Sequence, residues 1–411
     1  MIHLSTIKKT ILALLLPVMA TAQVQQTVTT NTGYADQTFY SMANGTVSTV
    51  SNTDWDLAFQ ISGFEAAILI NSKNNVKLYN ANKNVSEWLS MTVADTAGMT
   101  NNELLNNEAH MFNGAFNTTA DTSNQFDLGW GIYDLGTHII MGDSIYFIKL
   151  SNNTYKKLCI ESLSNSTYNF RYADLDGSNE VLRSFNKLNY PGKNFGYYSI
   201  QNDQYLDREP LKQDWDLSFA QYVDHFINYK VTGVLTNDSV QAVKAYPVDA
   251  ATATDAGLTY SFDNNIIGYD WKSFNGTTYV VADSTVYFVI DRHAHKWKIV
   301  FTGFGGSANG NFYFDQYDLG PLSVNDVKTV DVVSLYPNPA TDNTSLVLTT
   351  TKNQQAEINI YDISGKSVYK SNYQLAGMQR IDIPTAGFAA GIYVVNIQTA
   401  GEQTQLKLVK N

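Results

Sequence analysis

The chain carries a single cysteine, Cys159, in 411 residues. One thiol cannot build a disulfide framework, so any folded core rests on burial alone. Cys159 sits in the apolar run Leu158-Cys159-Ile160, where a thiol packs as a small hydrophobe rather than serving as a nucleophile. Positive charge is also short. Against 38 Asp and Glu there are only 27 Lys and Arg, which leaves a net charge of −11. An acidic surface repels phosphate backbones and anionic headgroups, and this excludes nucleic acid and membrane surfaces as natural partners. Beyond the N-terminus no apolar run approaches the roughly 18 residues of a transmembrane segment. A nucleophile elbow, a His-Glu-x-x-His zinc motif and a phosphate loop are all missing. The expectation is a protein that is not an enzyme.

What the chain does have is aromatic strand formers and repetition. Aromatic residues make up 13% of it, with 26 Tyr, a bias toward strands over helices. Residues 1–22 read as a secretory signal: Lys8 and Lys9, the apolar stretch Ile11 to Val18, then Ala20-Thr21-Ala22 as a cleavage site. The hexapeptide Asp54-Trp55-Asp56-Leu57-Ala58-Phe59 returns as Asp214-Trp215-Asp216-Leu217-Ser218-Phe219. Tyr40-Ser41 returns as Tyr198-Ser199, and Trp130 and Trp271 each stand 17 residues before a matching Phe, Phe147 and Phe288. One module is therefore written twice, over 23–188 and 189–320, with the turn-rich Asn189 to Lys193 at the junction.

Both copies read as meanders of short strands. The first has Ile145 to Leu150, Tyr155 to Leu163 and Thr167 to Leu175; the second has Val286 to Ile290, Lys296 to Phe304 and Asn311 to Tyr317. Between its two tryptophans the first copy has 19 more residues, placed in the polar stretch from Asn80 to Ser123. That stretch holds the one helix-like signal, Thr100 to Met111. In the repeated hexapeptide the acids alternate with Trp and Leu/Phe, which predicts a strand with one buried and one solvated face. Repetition makes it scaffold. His293 and His295 read as a solvated turn rather than a metal pair. Asp174 to Glu180 lacks the bidentate spacing of a calcium loop and reads as an Asp-Gly turn.

After a linker at 321–333, residues 334–411 show alternating strands suited to a small antiparallel sandwich. Tyr336-Pro337-Asn338-Pro339, Tyr361-Asp362-Ile363-Ser364-Gly365-Lys366, Gly391-Ile392-Tyr393-Val394 and the basic end Lys407 to Lys410 resemble the type A sorting domain of the type IX secretion system. The resemblance implies a Bacteroidota-type source, export through periplasm and outer membrane, and removal of the domain by a sortase-like peptidase. The partners it implies are the secretion machinery and that peptidase; the location it implies is secreted or outer-membrane surface.

The repeats also carry a likeness. Tyr197-Tyr198-Ser199, Asp207-Arg208-Glu209-Pro210, Asp214-Trp215-Asp216-Leu217, and the strands around Tyr287-Phe288 and Lys298 to Thr302 resemble the HmuY-type family, all-β haem-binding proteins. The resemblance implies haem as cofactor. In the first copy, Gly129-Trp130-Gly131 is preceded by His110 and Met111 and followed by His138 and Met141, all four of a type suited to axial ligation. The second copy has Trp271-Lys272-Ser273-Phe274 and no His or Met in that loop, so the likeness implies no haem there. The sequence thus predicts an all-β, non-enzymatic binding protein for haem or a related porphyrin. The competing class is a surface adhesin that stacks glycans on exposed Tyr and Trp. A glycosidase would require two converging carboxylates. Any local function is expected in what the sister copy does not keep.

Overall fold

The computed structural model describes residues 23–322, 330–362, 365–399 and 403–411. The expected signal at 1–22 and most of the linker at 321–333 lie outside these residues. The described chain is all-β, with strands joined by turns and short 3-10 segments. Among the described residues no helix is long and apolar enough to cross a membrane. The chain divides into two compact units, 1–320 and 321–411.

In the first unit two antiparallel meanders carry the repeats. One contains the order Val181–Asn186, Thr167–Asp174, Tyr155–Ser164, Ser144–Lys149, Lys77–Asn84. The other runs Gln23–Thr29, Asn311–Pro321, His295–Phe304, Val286–Ile290, Gln241–Ala245. They correspond strand for strand. Each packs on a four-stranded sheet: Gln204–Leu206, Phe195–Ser199, Leu57–Gln60, Ile68–Ile70 for the first, and Gly45–Ser51, Asp36–Ser41, Leu217–Asp224, Tyr229–Thr236 for the second.

This correspondence reveals a reciprocal exchange. The hairpin at 195–206, which opens the second repeat in sequence, completes the core built from residues 57–185. Residues 23–51, which open the first repeat, complete the core built from residues 217–314. The boundary at 188/189 is thus a boundary of the repeat and not of the fold. Loop closure alone would favour the nearer partners, Tyr40 with Leu57 and Tyr198 with Leu217, so packing overrides it in the exchange. Val181–Asn186 reaches Thr167–Asp174 across a short turn, whereas Gln23–Thr29 finds its equivalent edge, Asn311–Pro321, only at the far end of the unit.

The repeated hexapeptide is the latch of this exchange. Leu57 pairs with Tyr198 and Leu217 with Tyr40, so each Asp-Trp-Asp-Leu strand takes the Tyr-Ser strand of the other copy. Asp56 accepts hydrogen bonds from the Ser199 hydroxyl (3.1 Å) and the Gln201 amide (3.0 Å), and Asp216 from the Met42 amide (2.7 Å). Each acid thereby holds the turn that follows its partner strand. Both are 3% exposed, which corrects the expected solvated face. Burial raises the pKa of each, that of Asp216 to about 6. Alternation still operates, but with two buried faces: Leu57, Phe59 and Tyr198 enter one core, while Trp55, Ala58, Phe195 and Tyr197 form a separate cluster behind it.

The helix expected over Thr100 to Met111 does not form. A 3-10 turn at Met99–Asn102 gives way to the short strand Glu103–Leu104, which pairs with Leu78 and Tyr79. Asparagine side chains compete with helical backbone bonding. Asn106 makes the competition visible: its amide donates to the Ile70 carbonyl (2.7 Å), and its oxygen accepts from the Ile70 (3.1 Å) and Ala115 (3.0 Å) amides. It substitutes for a neighbouring strand on the edge of Ile68–Ile70. Cys159 is buried, as its apolar setting predicts, and burial pushes its thiol up to about 11.

The second unit is a sandwich-like antiparallel sheet of Val330–Tyr336, Asn343–Asp362, Ser367–Pro384, Gly391–Thr399 and Gln403–Lys410. The two longest strands change register between Thr350 and Gln354 and so pair in two stretches. Asn338 of the Tyr-Pro-Asn-Pro motif donates to the Lys407 carbonyl and accepts from the Val409 amide, both at 2.8 Å. That motif therefore anchors the C-terminal strand.

Candidate ligand cavity at the repeat seam

The second buried face of each four-stranded sheet has to be covered by something. Within the first unit the two faces cover each other. Trp55 packs edge-on against Tyr197 (5.1 Å between centroids), and Trp215 against Phe39 (4.9 Å). Each pair joins a hexapeptide Trp to the aromatic preceding Tyr198 or Tyr40, again across the exchange. Between the pairs lies a cavity of ≈ 150 Å³, mostly apolar, with Ala58, Leu69, Ser218, Ala220 and Tyr222 also on its wall.

The charged groups on the wall are three, Glu209, Glu108 and Lys73. Glu209 is buried at 3% exposure and accepts from the Asn194 and Phe195 amides (3.2 Å each) and the Tyr197 hydroxyl (3.0 Å). Burial outweighs these bonds and pushes its carboxyl up to about 7. Glu108 accepts from the His225 amide (3.1 Å) and faces its ring nitrogen at 2.7 Å. Both carboxylates are occupied.

Lys73 is different. It stands in the 3-10 turn Ser72–Asn74, started by the Asn71 side chain accepting from the Asn74 amide. Its ammonium donates to the Gln37 side-chain oxygen at 3.1 Å, and Arg208 donates to that same oxygen at 3.1 Å. Among the described residues no carboxylate lies within ion-pair distance of Lys73. Burial, and then the nearby Arg208 charge, push its pKa well below the ordinary lysine range, while Asp54 and Asp36 oppose the shift. Arg208 in turn lies over the Tyr197 and Trp55 rings at 4.9 and 5.7 Å. Among the described residues the indole N–H groups of Trp55 and Trp215 and the Arg208 Nε find no hydrogen-bond acceptor, although Arg208 Nε forms an ion pair with Asp54 at 3.4 Å.

The sister copy separates frame from function here. Asn71 donates to the Asn52 and Trp55 carbonyls, as Asn237 does to those of Lys212 and Trp215. Two residues on, the first copy has Lys73 and the second Ser239. The aromatic walls are repeated; the cation is not. Glu209 belongs to the Asp207-Arg208-Glu209-Pro210 motif, which in sequence shows no role at the site, and Lys73 does not stand out in sequence, yet this offset comparison would have found the lysine.

The four side chains expected to ligate haem are spread out. Met111 lines the cavity, and its amide donates to Asn264 (2.9 Å). His110 is exposed on a turn, 3.6 Å from the Asp263 carboxylate. His138 occupies a left-handed turn position (φ 58°), with Nδ1 2.7 Å from the Tyr133 hydroxyl. Met141 is exposed on the adjoining strand Ile139–Gly142. His295 pairs with Asp318 at 2.5 Å, and among the described residues no group of three or more His, Cys, Asp or Glu is placed to hold a metal. The Asp174 to Glu180 turn is closed by its own bonds, with Asp174 accepting from Asn179 (2.6 Å) and Asp176 from Ser178.

Residues 334–411 match the family described as the secretion system C-terminal sorting domain. They are a type IX sorting domain. It implies export by that system, contact with its machinery, and a secreted or cell-surface location. No curated protein matches the chain. Among solved structures, dimeric latent PorU from Porphyromonas gingivalis is similar over 67% of this chain and 31% of that one, at 11% identity and a TM-score of 0.21. This chain thus spans under a third of that protein, and a superposition so distant carries no argument.

Proposed function

We propose that the exported chain is a non-enzymatic binding protein whose site is the aromatic cavity at the seam of its two repeats. The observation that carries the reading is the cavity itself: a space whose exposed wall is mostly apolar and carries three charged groups, framed by strands buried on both faces. Such a rigid, mostly apolar concavity is the usual form of a small-molecule site. Its two carboxylates are fully engaged in holding backbone and side chains, which suits binding better than acid–base work. The HmuY-type likeness supports a binding class, although its Asp-Trp-Asp-Leu and Tyr-Ser elements serve here as the latch of the exchange. The haem reading rests on that likeness; the positions of His110, His138 and Met141 add nothing to it.

The test is ligand-observed binding of small aromatic compounds to the full chain and to an Ala220→Trp variant that fills the cavity. Saturable binding lost in the variant is expected. No binding, binding unaffected by the filled cavity, or turnover of a bound compound would refute the reading. One observation favours adhesion as a second reading. The hairpin between Leu217–Asp224 and Tyr229–Thr236 presents Phe226, Ile227 and Tyr229 at 81%, 56% and 67% exposure. Glycan-array binding lost in Phe226→Ala/Tyr229→Ala would support it.

A further inference from the structure

We propose that the seam cavity selects a small organic anion, an aromatic or short acyl carboxylate, whose charged end meets Lys73 and whose apolar body lies between the Trp55–Tyr197 and Trp215–Phe39 pairs. This deepens the binding reading and rests on it. Three features of the cavity lead here. Its size, ≈ 150 Å³, is that of a space known to hold a molecule about as large as benzene; a porphyrin is several times larger. Its wall is aromatic on two sides, so a flat body gains stacking and edge contacts beyond simple burial.

The third feature is an imbalance of donors. Lys73 has three N–H bonds and one acceptor, Gln37 Oε1, which it shares with Arg208. The acids that act on it, Asp54 and Asp36, oppose the loss of its proton without coming within ion-pair distance, and the two carboxylates of the wall do not serve it either. Glu209 and Glu108 are spent on other donors, and Asp54 Oδ1 lies 3.4 Å from Arg208 Nε without a hydrogen bond to it. Lys73 is half-buried, and a ligand carboxylate at its ammonium supplies both the opposite charge and the acceptors that the fold does not. A neutral ligand leaves Lys73 as it is. A cationic one would add a third positive charge beside Lys73 and Arg208. The sister position, Ser239, has no charge to offer, so the anionic end has one orientation.

The experiment compares phenylacetate with its neutral counterpart phenylacetamide on the full chain, read by indole fluorescence and calorimetry. For a ligand of roughly ten heavy atoms, a dissociation constant of about 1 mM or tighter is within ordinary efficiency. The acid should bind saturably and at least about ten-fold tighter than the amide. Lys73→Met should remove that preference, bringing the acid's affinity down to that of the amide or below, and Ala220→Trp should abolish both. Lys73 is half-buried and the variant gives up its one hydrogen bond, to Gln37; an unchanged thermal transition checks that the fold is kept. If the amide binds as well as the acid, or Lys73→Met keeps the preference, the anion assignment fails while the binding reading stands. If neither compound binds up to ~10 mM, far above that expected constant, both fail.

Discussion

If the repeats exchange hairpins, fragments cut at the sequence boundary should fail and fragments cut at the structural one should fold. The fragment 23–188 keeps one whole copy of the repeat but loses Tyr190, Phe195, Tyr197, Tyr198 and Ile200, every one of them below 8% exposed in the native unit. Burial of such a side chain contributes about 1.5–3 kcal/mol, so the five together represent roughly 8–15 kcal/mol. A domain has only about 5–15 kcal/mol of net stability to lose. The fragment 52–209 contains every buried member of the three clusters centred on Tyr146, Phe147 and Trp55, and retains Glu209 to receive the Asn194 and Phe195 amides. It gives up the seam alone. Near-UV circular dichroism and thermal melts of the two fragments decide the matter. We expect a cooperative transition for 52–209 and none for 23–188, and we expect 210–321 to gain structure when 23–51 is supplied as a peptide. A cooperative melt from 23–188 with an unstructured 52–209 would show that the hairpins serve their own copies.

Three further outcomes follow from the same contacts. Asp216→Ala leaves the buried Met42 amide without its 2.7 Å acceptor and should cost about 1–3 kcal/mol, seen as a lowered melting temperature; an unchanged melt would remove the latch role. Glu209, whose carboxyl sits at about 7 in the fold against about 4.3 in an unfolded chain, binds more protons when folded. Its contribution is therefore present in full at acid pH and is lost as pH rises from about 4.3 through 7, by about 3–4 kcal/mol. Glu209→Gln should flatten that slope in denaturant titrations at stepped pH, and a slope retained by the variant would assign it to other groups. Haemin titration should give no Soret change that depends on His110 and His138, because each ring already has its own polar neighbour, Asp263 and Tyr133; a shift abolished by His110→Ala/His138→Ala would restore the haem reading.

Much of the frame was legible. The alternating apolar runs gave three strands of each meander, five of the six to within one residue and Asn311–Pro321 four residues short at its end, because period-two burial is a local property. The C-terminal motifs were legible because each is a contiguous run of residues, although Asn338 anchors a strand 69 to 71 residues away. Strand partnership was not. Tyr40 could in principle have met Leu57 or Leu217, and both choices satisfy the same alternation; loop closure favours the nearer Leu57, and packing of the entire unit overrides it. The acids misled for a related reason. A carboxylate in an alternating strand looks solvated until a partner turn arrives to occupy it, and the turns that occupy Asp56 and Asp216 come from 143 and 174 residues away. Thr100 to Met111 carried helical spacing, but Asn106 found a strand edge that no local window contains.

The exchange also explains why a site should sit at the seam rather than inside either core. A sheet whose strands alternate Leu57, Phe59 with Ala58, or Leu217, Phe219 with Ser218 and Ala220, buries its large residues on one side and presents small ones on the other. Small residues facing small residues across two sheets leave room, and the flanking tryptophans set its width. Because both copies contribute these positions, the space is nearly symmetric by descent. Its charge is not, since Lys73 corresponds to Ser239, and Arg208 and Glu209 lie between the 195–206 hairpin and the second hexapeptide. A symmetric apolar slot with charge at one end binds best a molecule that is itself apolar along its body and charged at one terminus. Duplication could supply the slot, and divergence of a single residue pair was enough to give it a direction.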